Sequence, residues 1–115
     1  MSLGCRDHVN DIGPKGLVQH DGTDGSTPYT RMNRYGKWGG AAGENLEFGD
    51  FDGKEMVLQL IIDDGVSDRG HRTNIFSSSW AYTGIASGDH AEYTSMACQD
   101  FAKTYTNKSL TTILL

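Results

Sequence analysis

The chain has 115 residues, a formal net charge of -5 at pH 7, 37% hydrophobic and 22% charged residues, 15 glycines and 2 prolines. That length fits one hydrophobic core, and the composition belongs to a loop-rich globular chain rather than a disordered one, so residues 1–115 read as a single domain. The acidic balance, with Lys and Arg scattered, gives no footprint for nucleic acid, and no apolar run approaches the roughly 20 residues that span a bilayer, so the chain reads as not transmembrane.

Met1-Ser2-Leu3 lacks the basic and apolar segments of a signal peptide. Cys5 to Ile12 has helical composition, and Gly13-Pro14 ends it; His8 falls in this segment, where a partly exposed or capping role is expected. Gly16 to Gly25 reads as loop, rich in turn formers and oxygen ligands, although Asp21-Gly22-Thr23-Asp24-Gly25 lacks the later glutamate of a calcium loop. Ser26 or Thr27 can cap a helix that opens on Pro28, repeats Tyr29, Met32 and Tyr35 at helical spacing, and stops at Gly36.

Gly36 to Gly43 reads as a glycine-rich linker, and Glu44 to Gly49 as a loop or short strand. Asp52-Gly53-Lys54-Glu55 has the capping-box arrangement, with Met56, Val57, Leu60 and Ile61 on one face, and this helix ends near Asp63-Asp64-Gly65. Polar loop is expected from there to Ile75, with Asp63, Asp64 and Asp68 solvated. Trp80 to Ala86 and Tyr93 to Phe101 alternate as strands around a Ser87-Gly88-Asp89-His90 turn, which predicts an antiparallel hairpin with His90 in solvent. Leu110 to Leu115 is left unassigned.

Four histidines, at 8, 20, 71 and 90, are the side chains that both ligate divalent metals well and titrate near neutrality. His20 and His71 come from loops and are the presented ones, but no His-x-x-x-His or Cys-x-x-Cys pair points to a metal by spacing. Cys5 and Cys98 admit one disulfide or two buried thiols. Tyr29, Tyr35, Trp38, Trp80 and Tyr82 read as core or cleft lining, with only Trp38 exposed.

In order along the chain, Gly43-Glu44-Asn45-Leu46, Gly70-His71-Arg72-Thr73-Asn74-Ile75-Phe76, Gly84-Ile85-Ala86 and Met96-Ala97-Cys98-Gln99-Asp100-Phe101 resemble the CAP superfamily: cysteine-rich secretory proteins, antigen 5 and pathogenesis-related proteins. The Gly-His-Arg turn is similar to its shorter, microbial-like branch. This resemblance implies an α+β fold, a three-layer α-β-α sandwich with a small antiparallel central sheet, here without a recognisable first helix upstream of Cys5. It also implies an extracellular protein whose cleft carries two histidines and two acids around a divalent cation such as zinc.

Carried over by position, the metal set is His20, His71 and Glu44, with Asp63 or Asp64 standing where many members have a second glutamate. The readings left open are a binding module for a cation and a small or lipid-like ligand, a metal-dependent hydrolase with Glu44 as base, and a structural or protein-interaction domain in which the same groups order loops.

Overall fold

A computed structural model describes residues 1–49 and 52–109, and Leu110 to Leu115 fall outside it. Helices α1 (Ser2–Ile12) and α2 (Pro28–Tyr35) precede strand β1 (Gly36–Phe48); α3 (Gly53–Ile62), α4 (Gly70–Phe76), β2 (Tyr82–His90) and β3 (Thr94–Asn107) follow. The sheet is antiparallel in the order β1-β3-β2, so β3 is central and β1 is an edge.

Side chains alternate across a strand, and the alternation along β3 defines the layers. Met96 and Cys98 face one way and join Leu46, Ala86 and α1 residues Cys5, Val9 and Ile12 in the core. Cys5, Val9 and Ile12 recur at helical spacing, and full burial of an aliphatic such as Ile12 contributes about 1.5–3 kcal/mol. On the opposite face Phe101 stacks on Trp80 at 5.8 Å, and Met56 and Leu60 of α3, one turn apart, are buried. The expected α-β-α sandwich is therefore present, with α1 and α2 on one face and α3 and α4 on the other.

Both capped helices start where their caps require. Thr27 Oγ1 accepts from Thr30 N while Thr30 Oγ1 accepts from Thr27 N, and Asp52 accepts from Glu55 N. The first helix begins at Ser2 instead of Cys5.

Several expectations are corrected. The stretch from Gly36 to Gly43 is the first half of a 13-residue strand, not a linker. Its glycines conceal the pattern: the Tyr105 ring lies where a side chain on Gly36 would go, and Gly40, at φ 79, sits in a register shift between Gly39 and Ala42. Trp38, on this strand, is half-buried with Nε1 donating to Tyr29 O. The expected polar loop contains α4, a helix without a buried face that no apolar period announces.

The hairpin turn is at 91–93, because β2 continues through His90. His90 is buried, not solvated: Nε2 donates to Leu17 O at 2.8 Å, Nδ1 accepts from Glu92 N and Tyr93 N, and the ring meets Phe48 edge-on. His8 is also buried, with Nε2 donating to Gln19 O; burial and the Arg31 charge lower its pKa. Trp80 lies outside β2 and donates from Nε1 to Asn74 O.

Candidate functional site

Glu44 and Asn45 are consecutive on β1, so they leave opposite faces of the sheet. Each reaches one histidine-bearing segment. Glu44 Oε1 lies 2.9 Å from His20 Nδ1 on the α1/α2 face. Asn45 Nδ2 donates to His71 O at 3.0 Å on the α4 face, and Asn45 Oδ1 accepts from Asn74 Nδ2 at 2.9 Å. An edge strand thus places both histidine segments beside one another without any neighbouring strand to separate them.

The loop carrying His20 is tied down on both sides. Asp11 accepts from Thr23 N, Thr23 Oγ1 and Lys15 Nζ, while Asp24 accepts from Ser26 N and Arg34 Nη2. Arg31 Nη2 donates to His20 O at 2.9 Å. Asp21 to Gly25 is a turn in this frame.

His71 stands in the first turn of α4. Asp63, which ends α3 in the left-handed region at φ 50, accepts from His71 N at 3.0 Å, Arg72 N at 3.3 Å and His71 Nδ1 at 2.9 Å. A carboxylate from another helix therefore caps α4 and orients its histidine at once. Asp63 is only 4% exposed, which corrects its expected solvation, whereas Asp64 and Asp68 are exposed. Burial acts to raise the Asp63 carboxyl pKa, but the bonds from His71 and from the Arg72 and His71 amides outweigh it and lower the pKa.

Behind Glu44 lies a buried polar group that sequence reading did not identify. Arg31 on α2 is 1% exposed, and its Nη2 donates to Glu44 Oε2 at 3.0 Å. Asp100 stands directly across from Glu44 in the β1/β3 register, with its Oδ2 buried and without a hydrogen-bond partner, and Cys98 Sγ lies 3.3 Å from Glu44 Oε2. Burial first, then the neighbouring Glu44 carboxylate, push the Asp100 carboxyl up to about 11, so it holds a proton. Burial would raise Glu44 too, but the bond from His20, the Asp100 carboxyl beside it and the Arg31 charge hold it below the ordinary carboxylate range.

The signals were present but weak. Asp100 falls in the Met96, Cys98, Asp100, Ala102 alternation of a core-facing strand, where an acid needs a partner; Arg31 adjoins Met32 on the inward face of α2.

His20 and His71 line one cleft of about 400 Å³ with Glu44, Val66, Asp68, Gly70, Thr73 and Asn74. Their side chains are 53% and 32% exposed, while the two acids behind them are 1% and 4% exposed. A second cavity of about 480 Å³, also lined by His20 and Glu44, includes Pro28, Tyr29 and Trp80. Among the described residues His20 pairs with Glu44 and His71 with Asp63, while Asp64 is exposed. Among the described residues, the one set of three metal-capable groups whose donor atoms all lie within 4.8 Å is Cys5, Cys98 and Asp100, not His20, Glu44 and His71.

No curated protein sequence matches the chain. A solved structure, that of an outer surface protein from Borrelia burgdorferi, has a similar fold at a TM-score of 0.69 and 14% identity, covering 93% of this chain and 73% of that one. The family model described as "CAP: Cysteine-rich secretory protein family" matches residues 1–101. With that match spanning most of the sequence and the expected sandwich beneath it, the chain belongs to the cysteine-rich secretory protein (CAP) family.

Proposed function

We propose that the cleft between His20 and His71 is the binding site of a secreted or cell-surface domain and takes a divalent cation such as zinc on the two imidazoles. The observation that carries this reading is the matched pairing of each ring: both Nδ1 atoms lie 2.9 Å from the oxygen of a buried carboxylate. A buried acceptor selects the tautomer with hydrogen on Nδ1 and leaves the Nε2 lone pair for a metal, the arrangement that orients ligating histidines. The donor set fits zinc in that respect.

In this arrangement Glu44 and Asp63 orient the rings, with His20 and His71 as ligands. The oxygens of Glu44 are committed to His20 and Arg31, which separates its role from the ligand role implied by family position. Remaining coordination positions fall to water or to an oxygen-bearing small ligand, and Tyr29, Pro28 and Trp80 provide an apolar wall for one. A carboxylate held below its ordinary pKa is a weak base, which favours binding over hydrolysis by Glu44. The secretory family and the outer-surface title of the structural neighbour support placement outside the cell.

Calorimetric titration with zinc tests this function. Wild type is expected to bind one ion, and His20→Ala and His71→Ala each to bind at least about 10-fold more weakly. Absence of binding in wild type, or unchanged binding in both variants, overturns it.

A further inference from the structure

We infer that Cys5 and Cys98 form a dithiol–disulfide site, at which oxidation joins α1 covalently to β3 directly behind the cleft carboxylate. The two sulfurs lie 3.0 Å apart across 93 residues of sequence. Both residues are fully buried, and both are free thiols. Cys5 is held by α1 packing over β2, where its Sγ reaches Gly84 O at 3.5 Å, and Cys98 points from the opposing strand.

The same sulfurs, with Asp100, make the three-donor set noted above, so a buried metal is the competing use. The spacing of the sulfurs favours the disulfide. Thiolates on a tetrahedral zinc, each about 2.3 Å from the ion, stand roughly 3.8 Å apart. These sulfurs are already closer, at 3.0 Å, and about 1 Å of approach brings them to the roughly 2.05 Å of a disulfide.

The oxidant is an organic disulfide such as oxidised glutathione. The thiolate of one cysteine attacks it, forming a mixed disulfide and releasing one glutathione thiolate, which takes up the proton the cysteine gave up. The second cysteine thiolate then attacks the protein sulfur of that mixed disulfide and releases the other glutathione, again with transfer of one proton. The chain loses two electrons and two hydrogens, and the glutathione disulfide gains both. Because both sulfurs are buried, exchange takes place when α1 is away from the sheet, during folding or transient opening.

Closure has a consequence at the cleft. Cys98 Sγ is 3.3 Å from Glu44 Oε2 and 3.8 Å from Asp100 Oδ1, so its hydrogen is available to the acids only while the thiol persists. The oxidised chain leaves Glu44 to Arg31 and His20.

The test is refolding of the whole chain from denaturant in a glutathione redox buffer and, in parallel, in dithiothreitol, followed by denaturation, alkylation and peptide mass analysis. Oxidative refolding is expected to protect both cysteines and yield a linked Cys5/Cys98 peptide pair. Its thermal midpoint is expected to lie roughly 10 °C or more above that of the reduced chain, since the bridge closes a long loop. Cys5→Ala/Cys98→Ala, and Cys5→Ala alone, should lose this redox-dependent difference. Alkylation of both cysteines after oxidative refolding overturns the inference, as does protection by one equivalent of zinc in place of the bridge. Zinc binding at His20 and His71 is read separately by calorimetry, so either result leaves that proposal standing.

Discussion

The two histidine–carboxylate pairs share a 2.9 Å contact but rest on different foundations. Glu44 sits at the sheet face under α2, in a cluster of buried ionisable groups: Arg31, Asp100 and Cys98. Asp63 sits at a helix junction and is satisfied mainly by the backbone amides that open α4. Charge balance inside the core sustains the first pair; local hydrogen bonding at a helix terminus sustains the second. The first is costly to break from any side, whereas the second fails locally.

The sharpest way to break that contrast is Arg31→Met. Losing the guanidinium leaves Glu44 as a buried anion without its cation, and the expected loss is about 3–5 kcal/mol by urea unfolding. Adding Glu44→Leu should restore much of it, since an apolar pair of similar volume avoids the uncompensated charge. If the double variant is as unstable as the single one, Arg31 acts through packing instead.

Asp100→Asn isolates the proton held on the Asp100 carboxyl. Asp100 is protonated in the fold but ionised in the unfolded chain above its ordinary pKa of 3.8, so folding takes up a proton there and this contribution falls as pH rises. Glu44 has the opposite sign: its stabilisation is present above its ordinary 4.5 and is lost on acidification below it. His8, whose pKa is lowered, adds stability as pH rises through 6.5. The difference between Asp100→Asn and wild type should therefore widen in the variant's favour on going from acid to neutral pH, by up to about 1.4 kcal/mol per pH unit. A pH-independent difference would show that Asp100 is not the proton carrier.

A smaller effect is expected at the other pair. Asp63→Ala should cost about 1–2 kcal/mol as α4 loses its cap, and should shift the His71 ring resonances in NMR spectra while leaving those of His20 unchanged. A matching shift at His20 would show that the two supports are coupled.

The ordered motifs made the family legible, and with it the sandwich and the placement of Glu44, His20 and His71 at one cleft. Local chemistry was legible where local forces decide, as in the Thr27 and Asp52 caps. What stayed hidden depends on partners distant in sequence. The N-terminal cap of α4 comes from Asp63, so Gly70 to Phe76 carries no start signal of its own, and the burial of His8 and His90 depends on carbonyls of Gln19 and Leu17. Glycines hid the first half of β1 because a strand read from its side chains is invisible where facing residues occupy the side-chain positions.

The alternation of Glu44 and Asn45 along β1 makes that strand a common axle for the two walls of the cleft. A sideways displacement of this one backbone segment carries the support of His20 and that of His71 with it, though they belong to different layers. Side-chain substitution can weaken either wall alone. A change in backbone register, such as lengthening or shortening β1 near its irregularity between Gly39 and Ala42, would act on both together.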